Sequence, residues 1–342
     1  MVRIAVVGAG MIGQTHAQVV TELAGTAALV AVVDSDAERA ERIARPLGVE
    51  ALTDLDQVLT RPDIDVISIC LPSGMHATAA IRAMRAGKHV VIEKPIEITL
   101  AAADELIRVE RETGMTATVI SQRRFQRAPA FLHGAVASGE LGRVTSGIAV
   151  SPFWRGQDYY NSGGWRGTQA LDGGGALMNQ GIHALDLLLW FMGDPLEVHA
   201  YTGLLAHRDI EVEDTAVATI RFASGAVGSI LATTAAYPDL PVRLSVHGDQ
   251  GSAVLDADTI AYFHSASQET SGPTKADQTD DLLRGRGFSG LDDALRDQYA
   301  DFVSAVVSGK TPAITTADGR RCLATVLAIY ESARSGRAAR VI

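Results

Sequence analysis

Apolar and polar positions follow one pattern up to about residue 121 and another pattern beyond it. In the first part, short runs of Val, Ile and Leu alternate with stretches that repeat about every 3.6 residues, as amphipathic helices do. This alternation, with short connections, predicts an α/β domain with a doubly wound parallel sheet at residues 1–121. Its predicted strands are residues 2–7, 29–33, 49–52, 66–71, a run around Val90 and 116–121, and its helices lie after residue 13, after 54, at 75–86 and at 100–113.

From residue 122 the apolar positions repeat every second residue, which is typical of strands with one buried face. This pattern predicts an α+β domain at residues 122–342 with a large open, mainly antiparallel sheet. Residues 265–290 are rich in Ser, Thr, Asp and Gly and are expected to form a mobile loop, and the last helix is expected to pack back on the first domain. The predicted strands are residues 144–153, 197–204, 215–222, 226–234, 242–247, 251–256 and 259–264, with helices at 129–138, 291–308 and 317–333.

Three glycines lie between the first strand and the first helix. Gly8 permits a tight turn, Gly10 lets the backbone approach a pyrophosphate, and Gly13 allows the helix to pack closely on the strand. The N–H groups at the start of the helix attract the same anion. These features indicate a dinucleotide-binding Rossmann domain. The candidate cofactor-binding residues of this turn are Gly8, Gly10, Met11, Ile12 and Gly13.

The second strand ends in an acidic residue. Asp34 lies about 20 residues after Gly13, the usual spacing of the acid that binds the ribose hydroxyls. Such a carboxylate repels a 2′-phosphate, and Ser35 follows it rather than an arginine, so NAD is favoured over NADP. Arg39, one turn into the next helix, leaves NADP open. The alternative is a plain turn in which Asp34 caps a helix.

The run around Val90 ends abruptly in Glu93, Lys94 and Pro95. Ligands bind outside the carboxyl ends of parallel strands, and a proline restricts the preceding residue to an extended backbone. Lys94 is therefore a candidate for a catalytic role, and a solvated lysine at a strand end is the alternative. His76 fits the start of a helix better than a catalytic role. The residues expected to line the dinucleotide at these strand ends are Ser35, Leu71, Pro72, His76, Glu93 and Lys94.

Polar residues interrupt an apolar helix in the second domain. Asp172 precedes three glycines and is expected to cap this helix. Asn179 and His183 are four residues apart, and His183 and Asp186 three apart, so all three are expected on one face. An imidazole, with an ordinary pKa of about 6.5, can take the proton of a substrate hydroxyl at neutral pH. A structural histidine is the alternative.

Aromatic residues make up only 5% of the chain, yet several of them gather just before this helix beside arginines. Flat rings flanked by hydrogen-bonding groups suit the apolar face and hydroxyl rim of a sugar. Packing within the domain or in an oligomer is the alternative. The candidates for lining a substrate pocket are Trp154, Arg155, Tyr160, Trp165 and Arg166.

Composition narrows the class of protein. A net charge of -10 and a pI near 5.4 argue against nucleic acid or an anionic membrane as partner, because both require a basic face. The longest apolar run is too short to span a bilayer, and the start of the chain does not resemble a signal peptide. Cys70 and Cys322 are predicted to be buried free thiols, which fits a reducing cytoplasm. The histidines lack metal-ligand spacing, so no metal site is predicted.

Three segments together resemble the glucose-fructose oxidoreductase and inositol dehydrogenase (Gfo/Idh/MocA) family. They are the glycine turn at residues 8–13, the strand with its Glu-Lys-Pro end at 86–95, and the glycine-rich helix start with its Gly-x-His at 173–183. The resemblance extends over essentially the whole chain. It implies a Rossmann domain, a second domain with a large open sheet, a nicotinamide cofactor, and a sugar or cyclitol substrate. It also implies a homodimer or homotetramer formed through the open sheet.

The resemblance further implies roles for individual residues. Lys94 would bind the substrate hydroxyl, and His183 would be the acid/base while hydride moves to or from nicotinamide C4. Family members that act on inositol carry Asp where this chain has Asn179, and an amide cannot relay a proton, so Asn179 is expected to hydrogen-bond the substrate. The Asn version resembles a subgroup that includes nucleotide-sugar 3-dehydrogenases. The expected substrate-binding residues are Lys94, Arg123, Trp154, Arg155, Tyr160, Trp165, Arg166, Asn179 and His183.

The sequence therefore predicts an NAD(P)-dependent dehydrogenase that acts on a secondary alcohol of a sugar, sugar derivative or cyclitol. Two other hypotheses stay open. One is a non-catalytic sensor that binds dinucleotide or sugar with the same fold. The other is a hydrolase or lyase in which hydride leaves and returns, so that NAD is recycled within each turnover.

Overall fold

The computed structural model describes residues 1–257, 259–266 and 290–342, together with the backbone of residues 274–275. The chain divides into two compact units. The first comprises Met1–Gln122 and Leu291–Arg320, and the second comprises Arg123–Gly290 and Arg321–Ile342. The predicted domains differ from these units, because residues 291–320 were expected in the second domain and belong to the first unit. The predicted loop at 265–290 lies largely outside the described residues.

The first unit contains a six-stranded parallel sheet with the strand order β3-β2-β1-β4-β5-β6. This order confirms the predicted doubly wound fold, in which the glycine turn follows the central strand β1. The strands are Val2–Val7 (β1), Ala27–Val33 (β2), Glu50–Leu52 (β3), Val66–Ile69 (β4), His89–Ile92 (β5) and Ala117–Val119 (β6). The helices between them are Met11–Glu22 (α1), Ala37–Leu47 (α2), Leu55–Leu59 (α3), His76–Arg85 (α4) and Leu100–Thr113 (α5).

A helix from the end of the chain completes the core of the first unit. It spans Leu291–Ser308 and is called α9 below. Its residues Leu295, Tyr299 and Phe302 are almost fully buried in one cluster with apolar residues of α1 and β1. Burial of this apolar face explains why residues 291–320 belong to the first unit. The division between the units then falls within the last helix, Thr316–Ser335 (α10).

The second unit contains a nine-stranded sheet among the described residues, in the order β14-β13-β12-β11-β7-β10-β9-β8-β15. Among the described strands of this sheet, β7 and β10 form the single parallel pair, which confirms the predicted open, mainly antiparallel sheet. The strands are Val144–Pro152 (β7), Pro195–Gly203 (β8), Thr215–Phe222 (β9), Val227–Thr233 (β10), Arg243–Gly248 (β11), Gly251–Asp256 (β12), Thr259–Ser265 (β13), Thr274–Lys275 (β14) and Ala339–Arg340 (β15).

The helices of the second unit cover part of this sheet. A π-helical segment, Ala176–Gly181, runs directly into α8, Ile182–Met192, and most of the α8 side chains are buried. Helix α8 lies close to β7, since a Cβ built on Gly147 would be 2.7 Å from the Met192 sulfur. The remaining helices are Arg127–Ala137 (α6) and Gln157–Asn161 (α7), and a one-turn 3₁₀ helix covers Gln122–Phe125.

Both cysteines, Cys70 and Cys322, are buried free thiols, as predicted. No helix among the described residues is long and apolar enough to cross a membrane. Within the same residues, no three or more His, Cys, Asp or Glu side chains gather in an arrangement that could hold a metal ion.

Candidate functional site

The glycine turn of the first unit is tightly packed on one side and open on the other. Gly8 has a φ of +105°, and a Cβ built there would lie 2.3 Å from the Cys70 carbonyl oxygen. A Cβ on Gly13 would lie 1.8 Å from the Gly8 carbonyl oxygen. A Cβ on Gly10, in contrast, would meet no atom of a described residue within 4 Å. Gly10 therefore leaves open space at the start of α1, where Met11 and Ile12 are exposed.

Asp34 braces this turn from the end of β2. Its Oδ2 accepts the Ala9 backbone N–H at 2.8 Å, and its Oδ1 accepts the Asp36 N–H at 2.9 Å. Arg39 forms ion pairs with both Asp34 (3.4 Å) and Asp36 (3.1 Å). A carboxylate has about four acceptor positions, so Asp34 retains capacity for further donors. Ser35, beside it, is exposed.

Lys94 follows β5, and its peptide bond to Pro95 is cis. Its side chain is partly buried. The preceding residue, Glu93, is almost fully buried, and its Oε2 accepts the Lys94 backbone N–H at 3.0 Å. Glu93 Oε1 lies 3.0 Å from Nε2 of the buried His16, which is held in turn by Tyr299. Both Glu93 oxygens are thus engaged inside the unit, where they hold the backbone that carries Lys94.

The groups around Glu93 favour the ionised form of its carboxyl. Burial by itself raises the pKa of the Glu93 carboxyl, but the hydrogen bond from His16 and the positive charges of His16 and Lys94 outweigh it. The net pKa of Glu93 is therefore below its ordinary value of 4.5.

His76 connects two loops at the carboxyl ends of the strands. The ring is almost fully buried, with Nδ1 2.7 Å from the Pro95 carbonyl oxygen and Nε2 2.8 Å from the Leu71 carbonyl oxygen. Both ring nitrogens thus contact protein carbonyls. His76 begins α4, as the sequence suggested, while Leu71 and Pro72 are only partly buried.

In the second unit, the expected capping role of Asp172 is wrong. The π-helical segment begins after Gly175, and Glu213 receives its first N–H groups, from Gly175 and Leu177, at 2.9 Å each. Tyr330 donates its hydroxyl to the same carboxylate at 3.0 Å. The reason is steric, because Gly175 lies so close to the Glu213 backbone that a Cβ on Gly175 would be 1.7 Å from the Glu213 carbonyl oxygen.

Asp172 instead orients Asn179. Its Oδ1 accepts the Asn179 Nδ2–H at 2.9 Å, and its Oδ2 accepts the Gly167 backbone N–H at 2.8 Å. Asn179 Oδ1 accepts from Gln180 Nε2 at 3.1 Å, and Gln180 Oε1 accepts from Arg155 Nη2 at 3.2 Å. A continuous chain of hydrogen bonds therefore links the buried Asp172 to the Arg155 guanidinium through two side-chain amides.

His183 lies in the first turn of α8 and is partly buried. Asp186, one turn later, is buried and accepts a bidentate pair of hydrogen bonds from Arg124 at 2.6 and 2.8 Å. The Arg124 guanidinium also lies 5.4 Å from the centre of the Trp190 ring. Asp186 thus holds α8 to the 3₁₀ helix of Arg124, which is also the helix that contains the partly buried Arg123.

The residue after Glu213 fixes a second loop. Asp214 is fully buried and accepts backbone N–H groups of Leu205, Ala206 and His207 at 2.7–3.0 Å. The His207 ring lies between Asp214, at 3.1 Å, and the Arg155 carbonyl oxygen, at 2.6 Å. The contacts of Glu213, Asp214 and His207 were not predicted from the sequence, although two adjacent acids immediately before an alternating strand were a signal.

The aromatic candidates separate into two groups. Tyr160 is buried and bonds Thr234 Oγ1 at 2.8 Å, while Trp154 packs edge-to-face on Tyr237 at 5.3 Å. These contacts give both residues a place in the packing of the unit. Trp165 is partly buried, and the Arg166 guanidinium lies 4.8 Å from the centre of its ring.

Two family models match the chain. A model of the oxidoreductase family with an NAD-binding Rossmann fold matches residues 2–121, and a model of the GFO/IDH/MocA C-terminal domain matches residues 131–254. The chain belongs to the GFO/IDH/MocA oxidoreductase family. The family assignment confirms the resemblance recognised in the sequence, and it identifies residues 2–121 as the NAD-binding part of an oxidoreductase.

Two inositol dehydrogenases and one solved structure match this chain over almost their whole length. The myo-inositol 2-dehydrogenase of Thermotoga maritima is 29% identical, with 99% of this chain and 98% of the relative covered. The scyllo-inositol 2-dehydrogenase (NAD(+)) of Bacillus subtilis is also 29% identical, with 98% and 95% covered. Among solved structures, the WlbA dehydrogenase of Bordetella pertussis in complex with NADH and UDP-GlcNAcA is 28% identical with a TM-score of 0.88, covering 100% of this chain and 99% of WlbA.

Proposed function

We propose that this protein is a dehydrogenase that uses NAD to oxidise or reduce a secondary alcohol carbon of a sugar, sugar derivative or cyclitol. The observation that carries the proposal is that the carboxylates of the buried Glu93 and the partly buried Glu213 hold the two segments bearing Lys94 and His183. Glu93 holds the Lys94 backbone at 3.0 Å, and Glu213 holds the start of the helical segment that leads to His183. Groups held by the fold in this way are suited to catalysis, which requires preorganised side chains.

The residues of the first unit fit NAD. No side chain among the described residues caps the start of α1, so the open space at Gly10 and the N–H groups of the first turn suit a pyrophosphate. Gly8 and Gly13 add no side chain to this space. Asp34 retains acceptor capacity for ribose hydroxyls, and its negative charge disfavours the 2′-phosphate of NADP. The proposal gives NAD further contacts with Met11, Ile12, Ser35, Leu71, Pro72, His76, Glu93 and Lys94.

Lys94 binds the reacting hydroxyl in this proposal, and its positive charge favours the alkoxide that develops as the proton leaves. His183 takes that proton during oxidation and returns it during reduction. NAD, when bound, supplies the nicotinamide that accepts or returns the hydride. Asn179, held by Asp172 and Gln180, presents an amide of fixed orientation for a substrate hydroxyl. Further substrate contacts are assigned to Arg123, Trp154, Arg155, Tyr160, Trp165 and Arg166.

The decisive experiment replaces Lys94 and His183 by alanine in separate variants. Each is expected to lower kcat by about 10²-fold or more, because a positioned proton-transfer group contributes on the order of 10²–10⁴-fold. NAD affinity, measured by calorimetry, should stay near that of the wild type. Rates would be followed by NADH absorbance with a panel of aldoses, sugar acids, inositols and nucleotide sugars.

Matched controls come from exposed residues of the same types. Lys310→Ala and His199→Ala change an exposed lysine and an exposed histidine and should leave both kcat and NAD affinity unchanged. A Lys94→Ala or His183→Ala variant that turns over at the wild-type rate would remove that residue from the mechanism.

The same panel separates the other two hypotheses. A sensor would bind NAD and sugar and would never produce NADH with any of the sugars. A hydrolase or lyase with recycled NAD would consume its substrate without net NADH, which product analysis by mass spectrometry would reveal.

A cytoplasmic location and a homodimer or homotetramer stay predictions. The free thiols of Cys70 and Cys322 support the first. Exposed apolar side chains on the sheet of the second unit, including Ile148, Val217 and Tyr201, support the second. Light scattering of the purified protein would give its mass in solution.

A further inference from the structure

Two arginines of the second unit share one aromatic ring. The Arg155 guanidinium carbon lies 5.6 Å from the centre of the Tyr159 ring, and that of Arg166 lies 5.0 Å from the same centre. Phe153 packs on Arg155 at 5.2 Å, and Trp165 packs on Arg166 at 4.8 Å. Aromatic rings therefore hold the planes of both guanidinium groups. We call these five residues the arginine–aromatic cluster.

The positive charges of the cluster lack a counter-ion within the part of the chain that the structure describes. Neither arginine forms an ion pair with a described carboxylate. Arg166 Nε is buried and donates to no described atom. In contrast, the partly buried Arg61 and the buried Arg124 are paired with carboxylates. Two neighbouring unpaired cations in a protein of net charge -10 favour an external anion.

The hydrogen bonds of Arg155 place the cluster beside residues of the proposed substrate site. Arg155 Nη2 donates to Gln180, whose amide bonds Asn179. Arg155 Nη1 donates to the Trp154 carbonyl oxygen, and the Arg155 carbonyl oxygen is held by His207 at 2.6 Å. The backbone and one edge of Arg155 are thus fixed, while its remaining N–H groups donate to no described residue.

We infer that the arginine–aromatic cluster binds an oxyanion of the substrate, so that the sugar is an anionic one. The guanidinium fork matches the paired oxygens of a carboxylate or a phosphoryl group, and the rings can pack against the sugar. A sugar acid and a sugar phosphate share this chemistry. The inference rests on the proposed dehydrogenase function and specifies its substrate class.

A purely structural role is the rival explanation. If the arginines only stabilise the packing of Phe153, Tyr159 and Trp165, their removal should weaken the binding of every substrate equally or unfold the protein. If they bind an anion, their removal should selectively weaken anionic sugars. The ratio of the affinity for an anionic sugar to the affinity for a neutral sugar therefore separates the two explanations.

The experiment uses D-glucose, D-glucuronate and D-glucose 6-phosphate as probes that differ in charge at one carbon. Binding to the full-length protein with NADH present is measured by calorimetry, and turnover with NAD by absorbance. We expect at least one anion to bind about tenfold or more tightly than glucose, and Arg166→Gln to abolish most of that preference. Arg155→Gln should act in the same direction. The control Arg221→Gln, on an exposed part of β9, should change neither value.

The outcomes are separable. If neither anion binds more tightly than glucose, or if Arg166→Gln weakens anionic and neutral sugars by the same factor, the inference is overturned. A preference for glucuronate alone or for glucose 6-phosphate alone identifies the oxyanion. Anion binding that depends on Arg166, without turnover of any sugar, would uphold the cluster and contradict the dehydrogenase. Turnover of neutral sugars alone would support the dehydrogenase and overturn the role of the cluster in anion binding.

Discussion

Glu213 and Asp214 are neighbours in sequence, yet each carboxylate holds a different part of the second unit. Glu213 receives the first N–H groups of the π-helical segment, and Asp214 receives the loop at residues 205–207. Through His207, Asp214 also fixes the backbone of Arg155. Two adjacent side chains thus support both the helix that leads to His183 and the arginine assigned to the substrate.

The lowered pKa of Asp214 makes the stability of the protein depend on pH. Burial by itself raises its pKa, but the N–H groups of Ala206, Leu205 and His207 outweigh burial, so the pKa falls below its ordinary 3.8. A depressed pKa contributes stability that is complete well above pH 3.8 and is lost as pH falls through the folded-state value. We expect Asp214→Asn to lose about 1–3 kcal/mol of unfolding free energy at pH 7, and the difference from the wild type to shrink below about pH 4.

Urea denaturation at a series of pH values would measure this difference. Asp158→Asn, at an exposed position, is the control and should match the wild type throughout. A penalty for Asp214→Asn that is constant from pH 7 to pH 3 would argue against ionisation of Asp214 as the cause.

At the scale of elements, the π-helical segment and α8 form one continuous helical element whose start depends on glycine. The wider turn of a π-helix is uncommon and is often found at functional sites. Gly175 allows the chain to pass against Glu213, and Asn179 and His183 lie on either side of the junction at residue 182. A change at the start of this element should therefore shift both Asn179 and His183.

Gly175→Ala tests this dependence. Its Cβ would lie 1.7 Å from the Glu213 carbonyl oxygen, so the segment must shift. We expect a thermal midpoint lower by several degrees, consistent with a loss of about 1–3 kcal/mol, and a reduced kcat with NAD affinity near that of the wild type. Gly134→Ala, in α6 with nothing within 4 Å of the new Cβ, should instead be neutral or stabilise by up to about 1 kcal/mol. Equal effects of the two substitutions would contradict the steric argument.

At the scale of the whole molecule, the chain returns to its first unit beyond the strands β7 to β14 of the second sheet. Tyr299 and Phe302 of helix α9 are buried in one core with residues from the first 122 positions. Tyr299 also bonds His16 at 2.8 Å and Ser68 at 2.6 Å, next to the Glu93 that holds Lys94. The NAD-binding unit is therefore completed only by residues far along the chain.

Phe302→Ala measures that dependence. Removal of a fully buried Phe costs about 3–5 kcal/mol, through lost burial and the cavity left behind. Val307→Ala, on the same helix but 74% exposed, should cost less than about 0.5 kcal/mol. Unfolding curves followed by circular dichroism would compare the two variants. A small loss for Phe302→Ala would mean that α9 is dispensable for the first unit.

Features that depend on neighbouring residues could be predicted from the sequence. The strands Thr215–Phe222 and Gly251–Asp256 and the helices Leu100–Thr113 and Leu291–Ser308 begin and end where the apolar pattern indicated. The glycine turn, the Glu-Lys-Pro strand end and the family could also be recognised, because backbone constraints and local spacing encode them.

Other features were decided only by tertiary structure, because they join residues far apart in sequence. The position of Asp172 before three glycines predicted a helix cap, but Glu213, from another part of the chain, accepts the N–H groups at the helix start. Asp186 shared a predicted stripe with His183, and the structure buries it against Arg124. Residues 291–320 carry an apolar face whose partner no local pattern names. Periodicity specifies which side chains must be buried, whereas packing alone determines what they are buried against.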